Sequence, residues 1–380
     1  MNQFNFIFKG NIFFGIGARN NIDMILKTNN YQKACIVIDH ALMSVPLIRD
    51  YISKFKCESK IIICDISEPN YNSLEEKRKE LDNIRFDVFI GIGGGSALDL
   101  AKGLSVLSEN NGPAISYRGF NKFNPKIPPI IGIPTTAGTG SEITPNASFI
   151  DSNEKKKMGI NGEAIRPKYA ILDPEMTLSC PLGATISAGV DSLVHATEAF
   201  SAKKSNKMAN LFAKEGFKIV IDNLPLIADN LDNNKVREKL MYGAFLSAIA
   251  LMNSGTGPAA AMSYPLGVRF GVPHGIGGGI FLPHVIKYNI DQGFYNYGNL
   301  YPFNNRNKSE DALAKDFLNL INKTWKIIKV PEDLRKFGMV DSDIDLFVSD
   351  TMDLRGALDQ NPKEFYENEI KLILKKLKIG

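Results

Sequence analysis

Four short stretches, Ala34–Ile38, Lys60–Cys64, Val88–Ile92 and Ile130–Ile133, are built largely of Ile, Val and other apolar residues and are separated by amphipathic segments. A strand with one wet face alternates apolar with polar residues, so a run that is apolar almost throughout must be covered on both sides. The first half of the chain therefore predicts an α/β domain with a mostly parallel sheet and crossover helices. The opening segment Phe4–Phe14, broken by Lys9-Gly10-Asn11, predicts a hairpin or an extended edge that can also pair across a subunit boundary.

Beyond Pro181 the texture changes to long amphipathic segments, and helices are predicted at Thr185–Ala202, Lys207–Asn223, Val236–Met252 and Ala312–Thr324. A length of 380 residues favours two domains. The stretch Arg166–Pro181 holds three prolines, and the expected division is 1–180 for the α/β domain and 181–380 for an all-α domain. Hydrophobic residues at 44% and charged residues at 23% match an ordered soluble chain. The net charge of +4, without a clustered basic stripe, argues against a nucleic-acid partner. No apolar stretch is long enough to span a membrane and Met1–Gly10 has no signal-peptide pattern, so the expectation is a cytoplasmic protein with no membrane partner. Cys35, Cys57, Cys64 and Cys180 are irregularly spaced, which predicts free thiols.

Two polar loops follow predicted strands. The run Gly91-Ile-Gly93-Gly94-Gly95-Ser96-Ala-Leu-Asp99-Leu-Ala-Lys102 leaves one strand and opens a helix. Glycines there let a backbone approach a diphosphate closely, and the free N–H groups of a helix start favour its charge. A plain tight turn is the other reading of such a string. The second loop, Pro134 to Glu142, places Thr135, Thr136, Thr139, Ser141 and two glycines within nine residues. Such loops beyond the carboxyl ends of parallel strands are where ligands bind in open sheets. Asp39 closes the strand Ala34–Ile38 and can accept from the ribose hydroxyls of NAD while repelling the 2′-phosphate of NADP; a helix-cap aspartate accounts for it equally well.

In the second half, Asp191 and His195 lie four residues apart on one helical face, with Glu198 nearby, a donor pair suited to a divalent iron or zinc ion. A surface Asp/His pair is the alternative. Pro273-His274-Gly275 and Pro283-His284 flank the glycine-rich stretch Ile276–Leu282.

The strings GGGSALDLAK (Gly93–Lys102), PTTAGTGSE (Pro134–Glu142), GVDSLVHATE (Gly189–Glu198) and PHGIGGGIFLPH (Pro273–His284) together resemble the iron-containing alcohol dehydrogenase family over nearly the entire chain. The resemblance implies a Rossmann-like N-terminal domain and a helical C-terminal domain in a dehydroquinate synthase-like architecture. It also implies NAD or NADP, a divalent metal, and a homo-oligomer, commonly a homodimer. Cofactor contacts are implied at Lys157 and Leu178. The family's metal ligands map to Asp191, His195, His274 and a histidine whose place is taken here by Ala260; a further cleft histidine is replaced by Tyr264. Three protein ligands plus solvent remain a known catalytic arrangement, and Tyr264 can serve as proton donor beside His274. The implied activity interconverts a small carbonyl substrate with its alcohol. The string Ser263-Tyr-Pro-Leu266 is similar to the branch acting on phosphonoacetaldehyde, for which Arg269 would add charge. Two other classes are a lyase of the dehydroquinate synthase kind, whose Lys/Arg-rich phosphate pocket is not found here, and a nucleotide binder whose metal chemistry is lost or redirected. His284 is expected to be structural.

Overall fold

The computed structural model describes residues 3–65, 68–302, 307–377 and 379. Its contacts divide the chain into Lys9–Pro181 and a second unit that joins Leu182–Gly380 to the first eight residues.

The Lys9–Pro181 unit carries a six-stranded, wholly parallel sheet in the order β1-β9-β6-β4-β2-β3. Its strands are β1 (Asn11–Phe14), β2 (Lys33–Asp39), β3 (Glu58–Cys64), β4 (Val88–Gly93), β6 (Ile130–Pro134) and β9 (Tyr169–Leu172). All four apolar runs are strands. Alternation along them divides two cores: Cys35 and Val37 pack with Leu74, Leu100 and Leu104, whereas Ile36 and Ile38 pack with Ile22, Ile25 and Ile48. The first group comes from helices α3 (Tyr71–Lys79) and α4 (Gly95–Glu109), the second from α1 (Ile22–Thr28) and α2 (Pro46–Ser53). With both faces covered, apolar residues are required at every position. The opening segment forms no hairpin; only Asn11–Phe14 is strand, at the sheet's edge.

After β2 the chain adds β3 on one side, then crosses to β4 on the other. The strand order thus reverses between β2 and β4, and the carboxyl ends of strands at such a switch point frame a ligand crevice. A separate sheet of β5 (Gly119–Phe120), β7 (Asn146–Asp151) and β8 (Lys156–Asn161) includes an antiparallel β7–β8 pair that the sequence reading did not anticipate.

The other unit is helical: α5 (Leu182–Ser201), α6 (Lys207–Asn223), α7 (Asn234–Ser254), α8 (Pro258–Phe270), α9 (His274–Asp291), α10 (Glu310–Ile328), α11 (Ile344–Met352), α12 (Arg355–Leu358) and α13 (Glu367–Lys376). Asn206, Asn233 and Ser309 cap α6, α7 and α10 through their side chains, which fixes where those helices begin. Residues 3–8 belong here: Ile7 exchanges hydrogen bonds with the Asn253 side chain, at 2.6 and 3.0 Å. Among the described residues, no helix is long and apolar enough to cross a membrane.

Helix α9 runs through the glycine-rich stretch that carried no helix prediction. Glycine is a poor helix former, and close packing overrides it here. A Cβ at Gly275 would run into the Ser187 carbonyl of α5, one at Gly279 would meet Val190 at 2.5 Å, and one at Gly277 would meet Ser263 of α8 at 3.0 Å.

Candidate active site

In the α/β unit the two polar loops meet at the switch point. Gly94, in extended backbone, is the N-cap of α4, so Ser96 falls in the first turn and is not the cap residue. Gly93 has φ +154°, and a Cβ on it would strike Ala97 at 2.7 Å and Asp39 at 3.1 Å. A Cβ on Gly95 would press on Thr139 at 3.0 Å and one on Gly94 would touch Thr136 at 3.4 Å. The amide of Thr135 bonds to the Gly93 carbonyl at 2.9 Å. Backbone N–H groups at the start of this 15-residue helix therefore sit in a cradle that side chains would fill. Asp39 caps the short turn after β2 by accepting from the Ala41 amide at 2.9 Å through one carboxylate oxygen. The cap reading is thus realised, and its place beside Gly93 is too.

Beneath these loops is a latch that the sequence reading missed. Lys102 is fully buried on α4, and its ammonium donates to Ser141 Oγ (2.8 Å) and to the carbonyls of Thr144 (3.1 Å) and Asn146 (2.7 Å). Ser141 Oγ in turn donates to Asp99 Oδ1 at 2.5 Å, and Asp99 Oδ2 accepts from the Ser148 amide at 2.8 Å. Burial pushes Lys102 down to about 8, opposed by the charges of Asp99 and Glu142. Burial likewise pushes Glu142 up to about 7. The only signal in the sequence was a lysine amid an apolar helical pattern. Lys157 and Leu178 lie outside this linked set. Lys157, on β8, pairs with Glu68 at 2.5 Å, and Leu178 ends the short turn Pro174–Thr177 after β9.

In the helical unit, Asp191 and His195 on α5 and His274 at the start of α9 turn ligand atoms toward one another, all within 4.8 Å. Asp191 Oδ1 is 3.4 Å from His195 Nε2 and 3.8 Å from His274 Nε2. Bonds of about 2.1 Å to a shared cation at tetrahedral or octahedral angles separate ligand atoms by roughly 3.0–3.4 Å, so the cluster is close to the spacing a metal demands. Two imidazoles and a carboxylate suit divalent iron or zinc. The ring of His274 is oriented from behind. Ser263 Oγ, 2.7 Å from His274 Nδ1, already donates its proton to the Ala260 carbonyl at 2.6 Å. A hydroxyl has one proton, so Ser263 must accept from Nδ1–H, which leaves the Nε2 lone pair facing the cluster.

Ala260, Ser263 and Tyr264 share one face of α8, and the Tyr264 ring stands edge-on to His274 with centroids 4.8 Å apart. Glu198, one turn beyond His195, does not join the cluster. It is buried and holds the start of α8, accepting from Thr256 Oγ1 (2.8 Å) and the amides of Gly257 (2.7 Å), Ala259 (2.7 Å) and Ala260 (3.4 Å). Burial raises its carboxyl and these donors pull it back. Arg269 is committed to Asp350 at 2.5 Å, which compensates the charge suggested for an anionic substrate.

A doubly wound parallel sheet with a glycine-lined helix start at its switch point, joined in one chain to a helical unit bearing an Asp/His/His cluster, defines a two-unit dehydrogenase. The chain belongs to the iron-containing alcohol dehydrogenase family: the iron-containing alcohol dehydrogenase model matches residues 10–174 and the C-terminal model of the Fe-containing family matches 185–378. It is accordingly an oxidoreductase acting between alcohol and carbonyl. It is 29% identical to the NAD-dependent methanol dehydrogenase of Bacillus methanolicus, over 95% of this chain and 96% of that protein. Alcohol dehydrogenase 4 of Schizosaccharomyces pombe is 30% identical, over 95% of this chain and 86% of its own. The crystal structure of a 1,3-propanediol oxidoreductase superposes with a TM-score of 0.93 at 25% identity, covering 99% of this chain and 100% of that one.

Proposed function

We propose that this protein interconverts a small aldehyde or ketone and its alcohol, using NAD and a divalent iron or zinc ion held by Asp191, His195 and His274. The observation that carries the reading is the convergence of those three side chains, with Ser263 fixing the tautomer of His274. When bound, the cation supplies Lewis-acid stabilisation of charge on the substrate oxygen and the nicotinamide supplies the hydride. The amides at the start of α4, with Thr135, Thr136 and Thr139, hold the nucleotide diphosphate. Asp39 accepts from ribose hydroxyls through its uncommitted oxygen, which disfavours the 2′-phosphate of NADP. Tyr264 passes a proton to the substrate oxygen as charge develops there. At Ala260 a methyl group stands where a fourth imidazole is implied, so a bound cation would have three protein ligands, Asp191, His195 and His274, and would be held less tightly. β1 is the edge strand of the described sheet, and with the exposed side chains of Phe14 and Ile16 this supports a homodimer; the reading extends to a cytoplasmic enzyme.

The test is a titration of metal-stripped protein with iron(II) and zinc, followed by NADH oxidation with short aldehydes. About one cation per chain, lost in His274→Ala together with turnover, is the expected result. Aldehyde reduction at full rate without any bound cation would overturn the metal assignment, and no NADH binding at all would overturn the nucleotide site.

A further inference from the structure

Pro283 stands inside α9, where it has no amide proton to offer the carbonyl of Gly279 one turn earlier. That carbonyl is met instead by the indole N–H of Trp325 on α10, in a buried bond of 2.7 Å. The bond pins the buried indole with its edge at the base of a hollow of about 450 Å3, within the size range of small-molecule sites. Pro283 and His284 line it from α9, Trp325 and Lys326 from α10, and Lys376 and Leu377 from the end of α13.

The charges around this hollow do not cancel. Of the lining residues, Lys287 is paired with Asp291 at 2.9 Å and Asp333 with Arg335 at 2.7 Å. That leaves Lys326 and Lys376, neither in an ion pair among the described residues, against the single carboxylate of Glu332. Burial, then the nearby Lys376 charge, holds His284 below the ordinary imidazole range. Its ring nitrogens have no hydrogen-bond partner among the described residues, so a neutral imidazole is left with an N–H to offer.

We propose that this hollow is a second binding site, for a small organic carboxylate whose apolar body lies against Pro283, Leu318 and the edge of Trp325 and whose charge pairs with Lys326 and Lys376. An apolar group gains contact area on Pro283 and Leu318, and an anion gains two charge-assisted partners beside a partly dry wall. None of these residues belongs to the metal cluster or the nucleotide loops, so the site stands whether or not the proposed catalytic reading does.

Trp325 is the one tryptophan of the chain, which makes its emission a direct report on the hollow. Full-length protein, stripped of metal so that the probe finds no cation elsewhere, is titrated with benzoate and separately with benzamide, its uncharged analogue. The expected result is a saturable emission change with benzoate at an affinity at least about tenfold above that of benzamide. The double variant Lys326→Gln, Lys376→Gln, whose substitutions are on the surface, should weaken benzoate by about tenfold or more and leave benzamide alone. Equal affinity for the two probes, an unsaturable response, or benzoate binding unchanged in the double variant would overturn the site. A second variant, Pro283→Ala, returns an amide proton to Gly279 and releases the indole; unchanged helical content with loss of the benzoate response is expected. Retention of that response would sink the claim that the pinned indole builds the site.

Discussion

Ser263 shows how much of a site depends on a side chain that touches no reactant. Its hydroxyl proton is spent on the Ala260 carbonyl, so it can only accept from His274, and His274 in turn can only present Nε2. Ser263→Ala is expected to weaken cation affinity by about tenfold or more, as loss of an outer partner of a ligating histidine typically does. Competition with a chromogenic chelator measures this, and recovery in Ser263→Thr separates positioning from simple misfolding. A pH prediction belongs to Glu142. Its carboxyl, pushed up by burial to about 7 from an ordinary value of 4.5, holds a proton in the folded chain over a range where the unfolded chain has released it. The folded state then binds more protons than the unfolded, so this group makes stability fall as pH rises from about 4.5 to 7. Lys102, pushed down to about 8 from 10.5, acts oppositely on the alkaline side and makes stability rise between those values. Thermal melts of Glu142→Gln across this range should lose the fall below pH 7 and keep the alkaline rise; an unchanged acid-side slope would refute the assignment.

At the scale of elements, the sequence announced those that obey local rules and hid those that obey their neighbours. The strands β2, β4 and β6 were legible because burial on both faces demands uninterrupted apolar residues, and the edge strand β3 from its Ile61–Ile63 run, although Ile61 is exposed. The β7–β8 pair was not, since Lys156 and Lys157 break its apolar pattern where β8 is only partly buried. Helix α9 was hidden because its glycines are chosen by α5, which presses against it from far along the chain, and by the neighbouring α8. Gly279→Ala should therefore destabilise the protein by roughly 1–3 kcal/mol through overpacking against Val190, although alanine is the better helix former. Denaturant melts decide between the two effects by their sign. The site followed the same division. Asp191 and His195 were legible from a spacing of four on one helix, whereas the anchoring of α8 by Glu198 joins residues about 60 positions apart. Glu198→Ala leaves the start of α8 without its acceptor and should cost about 3 kcal/mol. A midpoint shift within error of the parent would show that solvent takes over those amides.

For the molecule as a whole, each unit has its own set of proposed ligands, so each should respond to its own. Hydrogen exchange on metal-loaded protein should slow amides in α5 and at the start of α9, and chelation should restore them. NADH should slow the first turn of α4 and the loop from Thr135 to Glu142. Protection by NADH confined to α5 and α9 would contradict the assignment of the nucleotide to the glycine-lined cradle.

The first residues of the chain are tied into the helical unit through Ile7 and Asn253, which lie 246 positions apart. Lys9–Pro181, by contrast, is contiguous. During synthesis the segment before Lys9 waits for its hydrogen-bond partner until α7 has been made. Phe6, which ends stacked on Phe212, is then the part of the nascent chain most in need of protection. This long-range closure makes one step in the folding of the helical unit wait on α7, although its individual helices form fast.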